Sequence, residues 1–364
     1  MRKITDDEKA IIFLDGIEKL EYKYKKALFD LYSSPSEIFS DKRLIDLYFS
    51  KIGKEDTGRQ IILSLKDERL VEDVVEKAVR GASDIITFVD ERYPEELKNT
   101  PTPPLCLYAV GNTELLKEKK VGIVGSRKTL NAYAKLCEQI SGELTQNGLV
   151  VVTGIAEGGD YAAIKGSIES GRVISVFAGD VVNVYPSKCR DLANKLLENG
   201  GLVISEHPFG TIPRNYFYPV RNRIIAGLSL GVLIASGDLA SGTRYTADYS
   251  LDYGREVFCL PYGLGVTSGE LCKKLIKNGA MLIESATEIL DVLGIDCSTD
   301  KKEELNLTEN EKALYKLIKE GFSNTDEIAD ESGIPVYEII STLGMLELKG
   351  VIAKDSSGNF SAIK

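Results

Sequence analysis

Apolar residues along this chain follow two rhythms. Between about 80 and 296 they gather into short runs: VGIVG (121–125), LVVVTG (149–154), RVISVFAG (172–179), GLVISE (201–206), GVLIAS (231–236), REVFCLP (255–261) and AMLIES (280–285). Each run is rich in β-branched residues and bounded by glycine or polar turns. That pattern predicts strands buried on both faces. Amphipathic stretches fill the gaps, for instance Asn131 to Asn147 and Asp160 to Ser170, with Asp160 the expected N-cap of the second. Strand–helix alternation of this kind predicts right-handed crossovers and a mostly parallel sheet. Ligands in such sheets bind beyond the carboxyl ends of the strands. The stretch 85–112 adds strands ahead of the first crossover.

The flanks keep a helical rhythm. In residues 1–75, Ile11, Ile12, Leu14, Ile17 and Leu20, then Tyr24, Leu28, Leu31 and Tyr32, recur near helical spacing, and breaks such as SSPSE separate the elements. A small helical bundle is expected, acting as a packing module. Residues 297–307 have linker composition. Residues 308–364 predict three short helices, a turn at Gly333-Ile334-Pro335 and a hairpin, the outline of a winged helix-turn-helix. Its recognition helix, 335–349, offers only Lys349 as a cation beside Glu338 and Glu347, which favours a protein-contacting role over DNA reading.

Charge sharpens the picture. The chain has a formal net charge of −10, divided as −5 over 1–118, +2 over 119–260 and −7 over 261–364. Positive character is confined to the strand–helix region, where a field for an anion can be focused. The six cysteines are scattered without a CxxC pair, and reduced thiols in the cytoplasm are the expectation. His207 is the only histidine, which argues against a metal site and against Ser-His-Asp chemistry. The polar, acidic start MRKITDDEKA is unlike a secretory signal, and no apolar run is long enough to span a membrane.

Three loops at strand ends are candidate anion sites. Gly125-Ser126-Arg127-Lys128 combines a tight turn, a hydroxyl donor and a guanidinium. Thr153 to Asp160 carries Gly154, Gly158 and Gly159 straight into a helix N-terminus, but lacks the dinucleotide fingerprint GxGxxG. Ser241-Gly242-Thr243 opens a further helix. Gly237 to Thr243 imitates a phosphate-binding loop, yet Thr243 stands where the gripping lysine must be, so ATP hydrolysis by that route is unsupported. Between the second and third loops, 213–247 gathers Arg214, Arg221, Arg223 and Arg244 around Tyr216, Phe217 and Tyr218. Arginines take phosphates and aromatic rings take bases, so nucleic acid or a nucleotide is the expected ligand.

The segments VGIVGSRKTLNAYA, TGIAEGGDYAAIKGSIESG and PVRNRIIAGLSLGVLIASGDLASGTRYTADYSLDYGREVFCLP resemble the DNA processing protein DprA (Smf) family. The resemblance covers nearly the whole chain. It implies an α/β fold: an extended Rossmann-like domain with a mostly parallel sheet, flanked by a small N-terminal helical (SAM-like) domain and a C-terminal winged-helix domain. It implies binding of single-stranded DNA, loading of RecA past single-strand-binding protein in natural transformation, no cofactor and no enzymatic turnover. By motif, the implied DNA contacts are Ser126, Arg127, Gly154, Gly158, Lys165, Arg221, Arg223, Gly242, Thr243 and Arg244. The rings at 216–218 would receive bases, while Asp160, Asn222 and Glu206 would organise loops and arginines. Glu157 departs from the family, which usually has arginine there. The family also implies a homodimer, for which the stripe Leu271, Leu275, Ile276 and Met281 supplies a surface, although the same stripe suits packing on its own sheet. The alternative is a nucleotide N-glycosidase of the same superfamily, whose catalytic glutamate would fall at Thr246.

Overall fold

A computed structural model describes residues 4–17, 20–80, 82–296, 308–348, 351–354 and 359–362. The linker expected at 297–307 and Lys349 lie outside the described residues. The chain divides into two compact units, Met1–Cys297 and Ser298–Lys364.

The first unit opens with helices α1 (Asp6–Gly16), α2 (Tyr22–Asp30), α3 (Arg43–Lys51), α4 (Glu55–Lys66) and α5 (Glu68–Val79). A capping box starts α1: the Thr5 hydroxyl accepts from the Glu8 amide and the Glu8 carboxylate accepts from the Thr5 amide. Phe13, Leu14, Leu28, Ile45, Phe49 and Ile61 form a core among these helices. The opposite side of α1 belongs to the sheet, because Ile11 and Ile12 pack with Tyr108, Phe177 and Val203.

The sheet holds β1 (Asp84–Thr87), β2 (Cys106–Gly111), β3 (Lys120–Val124), β4 (Val150–Thr153), β5 (Val173–Val176), β6 (Leu202–Ser205), β7 (Gly231–Ile234), β8 (Glu256–Cys259) and β9 (Met281–Leu282). Their order is β1-β2-β6-β5-β4-β3-β7-β8-β9. The strands from β6 to β9 run parallel, whereas β2 lies antiparallel to β6 and to β1. Every residue of β3 is buried: Val121 to Val124 are the apolar run, and Lys120 ahead of them is held by Glu96 and by the Leu116 and Glu118 carbonyls. The connecting helices are α6 (Glu95–Lys98), α7 (Asn131–Gln146), α8 (Gly159–Ser167), α9 (Ser187–Glu198), α10 (Phe217–Leu228), α11 (Thr243–Asp252), α12 (Glu270–Lys277) and α13 (Ala286–Val292). Strand order reverses at β3. The chain moves outward through β4, β5 and β6, then returns to lay β7 on the other side of β3. Loops diverge there, leaving a crevice beyond the carboxyl ends of the strands.

The second unit holds α14 (Glu309–Lys319), α15 (Thr325–Ser332) and α16 (Val336–Leu348), then an antiparallel pair, β10 (Ile352–Lys354) and β11 (Phe360–Ala362). Gly333, at φ 65°, ends α15 in the left-handed region. Leu314, Ile328, Ile339, Leu343 and Phe360 form its core. On α16, Tyr337, Ile340 and Met345 are exposed.

Candidate nucleic-acid interface

The crevice at the strand-order switch is a cleft of about 470 Å³. Three loops and one helix build it: Gly125 to Lys128 after β3, Ala156 and Asp160 after β4, Asp238 to Thr243 after β7, and Asn215 to Asn222 entering α10. Ser236 ties the first loop down, its hydroxyl accepting from the Ser126 amide at 2.8 Å. The Ser126 carbonyl accepts from the Gly159 amide at 3.2 Å, joining that loop to α8. Gly158 makes the junction, since its φ is 85° and an added Cβ would strike the Ser126 carbonyl.

Arg221 and Asp160 form the floor. Arg221 is 6% exposed, and its Nε and Nη1 find no partner among the described residues. Burial lowers its pKa, with the nearby Asp160 opposing the shift. Burial raises the Asp160 pKa, while Arg221 and the amides of Gly125 and Ala156 hold it down. Its carboxylate accepts from the Gly125 amide at 3.3 Å. Gly154 lies between the two groups: a Cβ there would overlap Asp160 Oδ2 and sit 2.6 Å from Arg221 Nη1.

Two helix N-termini face the cleft, with Gly158 and Gly242 as the N-cap residues of α8 and α11. The Gly159 amide is taken by the Ser126 carbonyl, and the Thr243, Arg244 and Tyr245 amides by Ser241 Oγ, the Ser241 carbonyl and the Gly242 carbonyl. What these helix starts offer an anion is the positive end of the helix dipole. Asn222 Nδ2 donates to the Gly242 carbonyl at 3.2 Å, holding the third loop against α10. Arg127 and Lys128 line the mouth, and neither forms an ion pair among the described residues. The chemistry on offer is multidentate recognition of phosphate oxygens beside one ring, Tyr218.

The cleft gathers Ser126, Arg127, Asp160, Tyr218, Arg221, Asn222, Gly242 and Thr243 in its lining. Gly154 and Gly158 shape its backbone from beneath, and six other candidates stand apart. Lys165 projects from α8 toward α7 and pairs with Glu138 at 2.7 Å. Arg223, 7% exposed, turns to the opposite side of α10 and pairs with Glu206, so Glu206 organises Arg223 rather than the cleft. Arg244 pairs with Asp248 at 3.4 Å and lines a separate groove between α11 and α12. Phe217 stacks on His207 with ring centroids 4.1 Å apart. Tyr216, 58% exposed, accepts from Arg214 at 3.2 Å outside the cleft lining. Asp160 is not an N-cap: Gly158 holds that position, and the Asp160 carboxylate reaches across to the preceding loop. Leu271 and Leu275 are buried in the chain's own core, while Met281 and Leu282 are exposed on the edge strand β9. Sequence reasoning missed Ser236, Asp238 and Ala240. Ser236 carried a signal, because it ends the run GVLIAS beside the switch point.

Among the described residues, no helix is long and apolar enough to cross a membrane, and no cluster of His, Cys, Asp or Glu could hold a metal ion.

Comparison with known proteins agrees with this geometry. Residues 84–294 match the family model for DNA recombination-mediator protein A, and residues 299–358 match the DprA winged helix domain. Protein Smf of Escherichia coli K12 is 34% identical over 285 residues, which cover 75% of this chain and 76% of that protein. DNA processing protein DprA of Bacillus subtilis is 39% identical over 211 residues, 57% of this chain and 70% of that protein. Among solved structures, DNA processing protein A of Streptococcus pneumoniae matches at a TM-score of 0.64 and 27% identity, covering 80% of this chain and 98% of that one. The Helicobacter pylori protein, solved for its single-stranded DNA binding mode, matches at 0.51 and 28%, covering 55% of this chain and 92% of that one. With the switch-point cleft, the winged helix and these relatives in agreement, the chain belongs to the DNA recombination-mediator protein A (DprA/Smf) family.

Proposed function

We propose that this chain binds single-stranded DNA in the switch-point cleft and delivers the strand to RecA, displacing single-strand-binding protein, without chemical turnover. The observation that carries this reading is Arg221, a buried guanidinium whose Nε and Nη1 lack a hydrogen-bond partner, in a cleft that the N-termini of α8 and α11 face. Asp160 opposes the depression of its pKa without reversing it, and the two open nitrogens leave room for a further acceptor. The phosphodiester backbone is the anion we assign, supported by Arg127 and Lys128 at the mouth, by Tyr218, and by the single-stranded DNA binding of the Helicobacter pylori relative. Thr246 occupies the position of the glycosidase glutamate, which supports binding over base release. The setting we propose is the cytoplasm, in keeping with the five free thiols among the described residues.

The domain roles and the oligomer belong to the same proposal. The helices up to about residue 75 buttress the sheet, residues 80–296 hold the DNA, and the winged helix at 308–364 contacts protein. Two chains pair through the β9 edge, where Met281 and Leu282 are exposed. A two-fold pair would raise apparent affinity by holding two clefts on one strand.

The test is a titration of labelled oligothymidylate against the full chain at several salt concentrations. The log–log salt slope of wild type should flatten by about 0.7 for each phosphate that a variant no longer neutralises, so Arg127→Ala should flatten it by that amount. A folded Arg127→Ala protein with an unchanged slope would remove the mouth from the DNA path. RecA delivery is read as faster RecA filament growth on strands coated with single-strand-binding protein. Growth that this chain does not accelerate would refute that step.

A further inference from the structure

We infer that a second pocket, beside the cleft and against the first turns of α9, receives an unstacked nucleobase from the strand in the cleft. This rests on the single-stranded DNA reading above. The pocket measures about 260 Å³, and Ala156 lines both it and the cleft, so one loop forms the wall between them. Ile155, Leu192 and Cys189 give it an apolar lining, of which Ile155 is buried. Tyr161, in the first turn of α8, also lines it while remaining 48% exposed, an open ring face next to a phosphate-binding helix start.

Charge identifies the occupant as a base rather than a further phosphate. Two carboxylates, Glu157 and Asp191, stand in the lining and would repel an anion. Lys188 is held by Glu157 at 2.9 Å, bridging the loop after β4 to α9. That bridge neutralises the ridge over which a neutral ring can pass. Lys195, without an ion pair among the described residues, stands on the far side to meet the backbone as it leaves. Carboxylates also accept from donors on a base, such as thymine N3–H or an exocyclic amino group, which a phosphodiester lacks. The glutamate at position 157 thereby gains a role: it fastens Lys188 and favours a ring in this pocket.

The experiment uses the full chain and labelled oligothymidylates in which a single abasic position is stepped along the strand. A base–aromatic stack is worth about tenfold in affinity or more. One abasic position should therefore weaken binding to wild type by about that factor, and should have no such effect on Tyr161→Ala. Intact oligothymidylate should bind Tyr161→Ala about tenfold more weakly, with its salt slope unchanged because every phosphate stays neutralised. Melting curves check that the variant is folded, and the abasic scan on wild type stands independently of it. A scan that is flat on wild type, while Arg127→Ala still flattens the salt slope, overturns the base pocket and leaves the cleft standing. Failure of wild type to bind any oligonucleotide overturns the cleft reading and this inference with it. Equal abasic sensitivity in wild type and Tyr161→Ala would place the stacked base elsewhere and overturn the pocket assigned here.

Discussion

Replacing Gly154 with alanine tests the construction of the cleft with one methyl group. Its Cβ would overlap Asp160 Oδ2 and come within 2.6 Å of Arg221 Nη1, two groups that are both buried. Neither can swing into solvent, so one must yield. Overpacking of this kind costs about 1–3 kcal/mol. Displacing Asp160 also loosens its hydrogen bond to the Gly125 amide, a charged bond worth about 1.5–3 kcal/mol. Allowing for partial relaxation, a destabilisation of about 2–4 kcal/mol is expected. At about 2–4 °C per kcal/mol, Tm should fall by about 4–16 °C. Binding should suffer too, since a shifted Arg221 gives up charged hydrogen bonds to phosphate worth about tenfold or more in Kd. Gly263→Ala is the control, because an added Cβ there meets nothing within 4 Å and the position lies outside the cleft lining. Thermal melting and oligonucleotide titration of both variants read the outcome. A Gly154→Ala protein that melts and binds like Gly263→Ala would refute the floor described here.

Other expectations are separately measurable. Burial, reinforced by Arg223 and opposed by Glu206, holds the His207 pKa below 6.5, so its folded form stays neutral where the unfolded chain takes a proton. Its contribution to stability is therefore present above about pH 6.5 and lost as pH falls below it. An NMR titration of this sole imidazole should show a midpoint below 6.5, and a midpoint at or above that value would contradict the burial argument. Light scattering should give twice the 39.9 kDa chain mass, falling to one chain for Met281→Glu; a single-chain mass for wild type defeats the proposed pairing. A chain ending after Ile295 should melt cooperatively and bind oligothymidylate within a few-fold of the full chain, because the first compact unit contains every cleft residue. A hundredfold weaker affinity would assign the winged helix a primary part in binding.

The strands were legible because each is a run of apolar residues wherever the sheet is covered on both faces. β7 is a clear case, with all four residues buried and no polar side chain among them. The three loops were legible because glycine, serine and threonine cluster just past those runs. What sequence does not give is which neighbours along the chain share a face in space. Arg221 and Arg223 are two residues apart on α10, and i,i+2 positions do not share a helix face, so only Arg221 reaches the cleft. The same geometry separates Tyr218 from Phe217, which turns to His207. Lys165 and Arg244 looked free in sequence, but their partners, Glu138 on α7 and Asp248 one turn along α11, were visible only once helices were placed. Leu271 and Leu275 illustrate a symmetric ambiguity: an amphipathic stripe looks alike whether it meets its own sheet or another chain, and here it meets its own sheet.

The return of β7 to the side of β3 has a consequence for the order in which the protein becomes competent during synthesis. Ser126 is fastened by Ser236, a residue 110 positions later, and β3 completes its second ladder only through Val232 to Ile234. A nascent chain that has released β1 to β6 already carries Arg127 and Asp160, yet it lacks the wall formed by 238–246. At about 5–20 residues per second, the interval between emergence of the first loop and closure of the cleft lasts seconds. During that interval the chain carries Arg127 without the wall that completes the cleft, so under the proposed function binding would begin only once β7 and the start of α11 have been made.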